Sequence, residues 1–292
     1  MTAVAERLDV ELVRRGLARS RTRAAELVAA GRVRVGGTVA RKPSQAVADD
    51  ATVAVDAGSD EPGFVSRGAH KLAGALDALE ALGTAPRVAG ALCLDAGAST
   101  GGFTQVLLAR GARHVLAVDV GHGQMAPEVA QDARVTVREG VNVRALPVDS
   151  GPVDLVVADL SFISLTLVLE PLLAVTADDG HLLLMVKPQF EVGRTRLGSS
   201  GVVNSVALRE EAVDRVAAAA GALGAGALAV VPSALPGPAG NREYFLWLRP
   251  AAAGTDVVQA SAEDVRQSVR SAVHRAVAED VAVLVGTEGS VR

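Results

Sequence analysis

Leu94-Asp95-Ala96-Gly97-Ala98-Ser99-Thr100-Gly101-Gly102-Phe103 connects an apolar strand, residues 91–94, to a helix opening at Gly101. Glycines in such a strand-to-helix turn let a cofactor approach the backbone and meet the helix N-terminus. The stretch is not the dinucleotide fingerprint G-x-G-x-x-G, because Ser99 stands where the second glycine belongs. That glycine admits a pyrophosphate, so its absence speaks against NAD or FAD. An acid at the strand end and a loose glycine turn suit S-adenosylmethionine, which carries no phosphate. An ordinary tight turn between strand and helix is the alternative. The turn offers a cofactor Asp95, Gly97, Ser99, Thr100, Gly101, Gly102 and Phe103.

Outward from this turn, helices and strands alternate. Residues 91–97 read as a strand, 101–110 as a helix and 114–120 as the next strand. Residues 135–139 form a short strand, and 153–160 and 181–187 are near-continuous apolar runs. Such runs fit strands buried on both faces of a parallel sheet. Residues 227–231 and 243–248 supply two more strands. The pattern predicts an α/β, doubly wound, Rossmann-like domain with ligands at the carboxyl ends of its strands. Asp119 ends the second strand about 22 residues past Gly97, where an acid holds both ribose hydroxyls of a cofactor. A helix N-cap before Gly121 is its alternative role. Asp159 ends the fourth strand and Lys187 the fifth, at adjacent positions of one edge. Glu243 opens the last strand and reaches that edge if the strand runs antiparallel.

Composition bounds the rest. The 292 residues carry a net charge of −4, yet residues 1–48 hold ten Lys/Arg against four Asp/Glu. A +6 module thus precedes a −10 body, which points to an anionic partner, nucleic acid first. The single cysteine, Cys93, excludes an internal disulfide and lies in a strand as a small core hydrophobe. No signal-peptide apolar core opens the chain, and the apolar run 216–231 contains three glycines. It reads as a helix end, a loop and a strand, so the expectation is a soluble cytoplasmic protein. The five histidines show no metal-ligand spacing.

In the basic module, residues 6–16 place Leu8, Leu12 and Val13 on one helical face. Ser20 caps a second helix through Ala29, and Gly36-Gly37 turns a hairpin between residues 32–35 and 38–40. Arg19, Arg21, Arg23, Arg32 and Arg34 cluster there with only Glu26 opposing. A solvated basic face is the bland reading, and a phosphate-tracking surface the sharper one. The order of residues 6–55 resembles the RNA-binding module of ribosomal protein S-four. Residues 1–60 are therefore expected to bind RNA, with Arg7 joining the five arginines. The small, acidic residues 49–63 read as a linker.

Several motifs together resemble the TlyA family, which joins an S-four-type module to an FtsJ-like methyltransferase and is often labelled haemolysin. They are Val65-Ser66-Arg67-Gly68-Ala69-His70-Lys71-Leu72, Asp95 to Thr104, Ala117-Val118-Asp119-Val120-Gly121-His122-Gly123-Gln124, Ala158-Asp159-Leu160-Ser161-Phe162-Ile163-Ser164-Leu165, Val186-Lys187-Pro188-Gln189-Phe190-Glu191-Val192-Gly193 and Pro236 to Phe245. The likeness covers residues 6–250. It implies S-adenosylmethionine-dependent methylation of a ribosomal RNA cytidine on its ribose 2′-oxygen, without a metal. A Lys-Asp-Lys-Glu tetrad carries over to Lys71, Asp159, Lys187 and Glu243, and Asn142 and Asp159 join the cofactor-binding residues. The implied layout is a module over 1–60, a linker over 61–70, a methyltransferase domain over 71–250 and a helical tail over 251–292. Two other classes remain. A membrane-lytic protein requires a span or a strong amphipathic helix, and an inactive RNA-binding protein would not keep all four tetrad positions.

Overall fold

The computed structural model describes residues 6–18, 21–29, 31–55, 63–146, 150–198, 201–237, 239–250 and 262–286. It divides into two compact units, Met1–Gly63 and Phe64–Arg292.

The first unit contains β1 (Glu6–Arg7), α1 (Leu8–Arg14), α2 (Arg21–Ala29), β2 (Val33–Val35), β3 (Thr38–Val39), β4 (Ala46–Val47) and β5 (Val53–Val55). Leu8 and Leu12 lie one turn apart on α1 and are fully buried with Ala24, Leu27 and Val28 of α2. Gly36 and Gly37 take φ values of +58° and +81° and close β2 onto β3. Such angles come readily only to glycine. The hairpin is as expected, but the reading of 49–63 as linker needs correction. Val53-Ala54-Val55 is a third strand, with Val53 opposite Val35. A three-residue strand between acidic flanks carries too little period to announce itself. The β1–β4 pair, Glu6 opposite Val47, was invisible for the same reason.

The second unit runs α3 (Arg67–Ala81), β6 (Leu92–Ala96), α4 (Gly102–Ala109), β7 (His114–Asp119), α5 (Pro127–Ala130), β8 (Val135–Glu139), β9 (Val153–Ala158), α6 (Leu169–Ala174), β10 (Thr176–Val186), α7 (Pro188–Glu191), α8 (Val206–Ala222), β11 (Ala225–Pro232), β12 (Tyr244–Pro250), α9 (Ala262–Glu279) and β13 (Val283–Leu284). The sheet order is β13-β11-β12-β10-β9-β6-β7-β8. Neighbours from β10 to β8 are parallel, whereas β12 lies antiparallel between β10 and β11. Val186 therefore pairs with Tyr244, and the start of β12 shares an edge with the end of β10.

Strand alternation sorts the core into two layers. Leu94, Ala96, Val156, Leu184 and Leu246 face α8 and α9, while Cys93, Leu155, Val157, Leu183 and Phe245 face α3 and α4. Cys93 is fully buried, and that burial pushes its thiol up to about 12, so it is an inert core side chain.

Two boundaries differ from the sequence reading. α3 begins at Arg67, so its first turn falls inside the stretch 61–70 taken as linker. The tail is not only helical: Val283 of β13 pairs with Val230 of β11. Ala272, Val273, Ala276 and Val277 dock α9 into the core, on one face at helical spacing.

Candidate active site

The turn between β6 and α4 bends on two glycines, Gly97 at φ +85° and Gly101 at φ +89°, with Ser99 also left-handed at +46°. A Cβ on Gly97 would stand 2.8 Å from the Asp159 backbone oxygen, and one on Gly101 would stand 3.0 Å from Val129 Cγ1. The glycines thus bring the turn close to the loop after β9 and to α5. Gly102 meets a packing limit as well, because a Cβ there would strike the Ser66 hydroxyl and reach 3.0 Å from the Ala69 nitrogen at the start of α3. Phe103, expected at the cofactor, is 3% exposed and stacks on Phe245 with centroids 6.0 Å apart. Its ring is core, driven inward by its apolar area. Thr100 accepts a hydrogen bond from the Ala126 nitrogen through its carbonyl.

Asp95 is fully buried at the end of β6. Its Oδ2 accepts from the Thr104 hydroxyl at 2.7 Å, and its Oδ1 has no partner among the described residues. Burial pushes the carboxyl up to about 7 against the pull of the Thr104 hydrogen bonds. Asp119, at the end of β7, accepts from the Ser99 nitrogen at 2.8 Å and from the Gly121 nitrogen at 2.7 Å. One carboxylate therefore ties the β6–α4 turn to the next strand end, and the capping alternative describes half of its contacts. Each oxygen keeps a further lone pair. Asn142 caps the short helical turn Val143–Ala145, accepting from the Arg144 nitrogen at 3.0 Å. An orphaned buried oxygen on Asp95, a side-chain-free cradle at Gly97 and an acid at the next strand end together fit a cofactor that carries a cation and a ribose.

The four tetrad positions meet at the same sheet edge as two ion pairs. Lys187 Nζ stands 2.6 Å from Asp159 Oδ1, and Lys71 of α3 pairs with Glu243. Lys71, Lys187 and Glu243 are buried, while the Asp159 side chain is 23% exposed and forms the open side. Asp159 and Glu243 flank their strands rather than belong to them, each one residue outside. Gln189 Nε2 lies 3.5 Å from Glu243 Oε1, linking the segment after Lys187 to the second pair. Gly237 leaves the room Glu243 needs, since a Cβ there would come within 2.5 Å of Oε1.

Sequence reasoning missed three residues here. Ser161 accepts a hydrogen bond from Lys187 Nζ at 2.9 Å. Glu191 accepts from the Ser164 hydroxyl at 2.5 Å and from the Leu165 nitrogen at 2.8 Å. Asn241, 2% exposed, accepts from the Val203 nitrogen and donates to the Gly201 carbonyl. Only Glu191 gave a signal, as an acid inside the apolar context Pro188-Gln189-Phe190-Glu191-Val192. Its burial raises the carboxyl, with the Ser164 and Leu165 hydrogen bonds opposing.

In the first unit, Arg7 and Arg21 both bond Asp9, with nitrogens 3.0 Å from its oxygens. Both guanidinium groups remain largely open to solvent. Arg34 is exposed on the hairpin and donates to the Gly37 carbonyl at 3.3 Å. Arg32, just before β2, is half-buried. Arg19, Ser20 and the side chain of Arg23 lie outside the described residues.

The sequence profile of the FtsJ-like methyltransferases matches residues 64–250, and that of the S4 domain matches residues 6–53. The 16S/23S rRNA (cytidine-2′-O)-methyltransferase TlyA of Mycobacterium tuberculosis is 52% identical over 275 residues, 94% of this chain and 97% of that protein. The chain belongs to the TlyA family of FtsJ-like methyltransferases. A solved hemolysin-named structure from Streptococcus thermophilus is 34% identical, with a TM-score of 0.68 over 94% of this chain and 97% of that one. Another from Lactococcus lactis is 35% identical, with a TM-score of 0.61 over 71% of this chain and 98% of that one. The family therefore carries both names, methyltransferase and hemolysin. Among the described residues, no helix is long and apolar enough to cross a membrane.

Proposed function

We propose that the chain methylates the ribose 2′-oxygen of a cytidine in ribosomal RNA, using S-adenosylmethionine, in the cytoplasm. The observation that carries this reading is the pair Lys187–Asp159, 2.6 Å apart at the edge where the glycine turn opens. When bound, the cofactor supplies an electrophilic methyl group on a sulfonium. Gly97, Ser99, Thr100 and Gly101 would line its bed, with Asp95 toward its ammonium end and Asp119 toward its ribose. The protein's own task is at the other reactant. A ribose hydroxyl is a poor nucleophile, so it must be placed in line and relieved of its proton as it reacts. Lys187 Nζ receives that proton, and Asp159 orients the amine and then stabilises the ammonium. Lys71 and Glu243 wall the site with a buried polar pair that positions the ribose. The S4 domain supports a structured RNA as substrate, with Arg7, Arg19, Arg21, Arg23, Arg32 and Arg34 tracking phosphates.

The test is to incubate the full chain with ribosomal RNA and methyl-labelled S-adenosylmethionine, digest with nuclease and separate nucleosides by mass spectrometry. The expected product is 2′-O-methylcytidine. Lys187→Ala should lower the rate about a hundredfold or more, the worth of a positioned acid–base group. A methyl on the base, or an undiminished Lys187→Ala enzyme, overturns the reading.

A further inference from the structure

Among the described residues, Lys187 Nζ has two polar partners, Asp159 Oδ1 at 2.6 Å and the Ser161 hydroxyl at 2.9 Å. An amine nitrogen is tetrahedral, and its own chain carbon fills one corner. The N–H turned toward Ser161 fills a second, while the contact with Asp159 is an ion pair without an aligned hydrogen bond, so the Ser161 hydroxyl is the acceptor that sets how Nζ is turned. In the neutral amine one of the remaining corners is the lone pair, and in the ammonium both are N–H groups. With the Asp159 charge alone, the amine would turn about its Cε–Nζ bond and the lone pair would sweep a circle. A fixed hydroxyl acceptor removes that freedom.

We propose that Ser161 is a positioning residue of the transfer reaction: its hydroxyl and Asp159 together lock Lys187 so that its one lone pair faces the reacting 2′-hydroxyl. This rests on the reading of Lys187 as the proton acceptor. Once the Lys187 ammonium has released a proton to water, the ribose O–H bond breaks as its oxygen takes the methyl group, and that proton passes to the lone pair. The carbon–sulfur bonding pair stays on sulfur. The resulting ammonium keeps its bond to Ser161 and its charge pairing with Asp159, and turns a further N–H to the product oxygen.

The loop bearing Ser161 is built for such a task. Ser161 is exposed, and a serine facing water has no need of a fixed backbone. Yet the next residue, Phe162, sits at φ +64° and is 91% exposed, so no burial offsets the strain. Strained conformations of this kind persist where the surroundings over-determine them. The surroundings here are the segment that follows Lys187. Glu191 takes hydrogen bonds from Ser164 and Leu165, and the Phe162 and Phe190 rings stand 5.3 Å apart. The loops after β9 and β10 are thereby clamped into one unit, with the Ser161–Lys187 bond at its mouth.

The experiment compares wild type, Ser161→Ala, Ser161→Thr and Lys187→Ala in the full chain on ribosomal RNA. Ser161→Ala should lower kcat about tenfold, the worth of a hydrogen bond to a charged group, with the KM for RNA and the affinity for S-adenosylmethionine unchanged. Ser161→Thr keeps the hydroxyl and should recover most of the rate. Without cofactor or RNA, an amine-selective acylating reagent quantified by peptide mass spectrometry should label Lys187 faster in Ser161→Ala, because Nζ is freed. A wild-type kcat in Ser161→Ala, a loss confined to KM, or unchanged labelling of Lys187 each overturns the proposal. Lys187→Ala separates the two readings: if it retains full rate, the assignment of Lys187 itself falls. If it is dead while Ser161→Ala is unimpaired, only the role of Ser161 falls.

Discussion

Glu243 and Lys71 are buried as a pair, with side chains 1% and 8% exposed. Each charge is tolerable only because the other is there. Glu243→Ala leaves a buried ammonium without its counter-ion, so it should destabilise the fold by about 3–5 kcal/mol and not merely slow the reaction. Replacing both partners, as in Lys71→Met with Glu243→Leu, should regain most of that stability and no activity. Denaturant midpoints of the three proteins check this, and a single variant as stable as wild type defeats it. Asp95 makes a pH prediction. Its carboxyl rises to about 7 in the folded protein from an ordinary value of 3.8. The folded state therefore holds a proton that the unfolded chain has released, and stability from this group falls as pH rises from about 4 to 7. Asp95→Asn is neutral throughout, so its stability advantage over wild type should be larger at pH 8 than at pH 5, read as the gap between thermal midpoints. At this scale the sequence was informative about charged residues at strand ends. It was silent about Ser161, because a serine in a loop looks alike whether it faces a lysine or water.

The β6–α4 turn is the element on which the site depends. Gly97→Ala adds a methyl at φ +85° that lands 2.8 Å from the Asp159 carbonyl oxygen. Neither the backbone angle nor a main-chain oxygen yields easily, and strain of this kind costs on the order of 1–3 kcal/mol. We expect a lower thermal midpoint together with weaker S-adenosylmethionine binding by calorimetry, since the turn and the Asp159 loop shift as one. A Gly97→Ala protein that binds cofactor as wild type does would show that the close approach is dispensable. Elements long enough to repeat a period were legible: β9 and the second half of β10 announced themselves as near-continuous apolar runs, and α9 as a polar, Ala-rich helix, whereas the polar first half of β10, from Thr176, did not. The docking of α9 was not legible, because Ala272, Val273, Ala276 and Val277 form a stripe whose partner lies in α8 and β11, far away in sequence. β5 and β13, of three and two residues, exist only by virtue of the strands they pair with.

At the scale of the molecule, a unit of 63 residues, with its +6 charge in residues 1–48, and the body that follows carry separable tasks. Deleting residues 1–63 should leave S-adenosylmethionine binding intact while sharply reducing methylation of ribosomal RNA and flattening the salt dependence of RNA affinity. Full methylation by the truncated chain would remove the module from substrate recognition. The small unit is also acid-sensitive. Arg7, with Arg21, holds Asp9 down at about 2, and Arg14, with Arg15, does the same for Glu11. Depressed carboxyls lend stability above their ordinary range and lose it as pH falls toward 2. Asp9→Asn should thus weaken the unit at pH 7 and make little difference near pH 2, as hydrogen exchange of α1 would report. By itself the sequence determined the class of fold, the two-part charge, the glycine turn and three residues of the ion pairs, Asp159, Lys187 and Glu243, whereas Lys71 came only from the likeness to the TlyA family. The directly read features depend on residue type and period, which act locally along the chain. The tertiary structure decided which lysine meets which carboxylate, that Phe103 serves packing and Gly102 meets a packing limit, and that Ser161 and Glu191 join the site. Those are distances between residues remote in sequence, and only the antiparallel placement of β12 beside β10 and the close crossing of α3 over α4 set them.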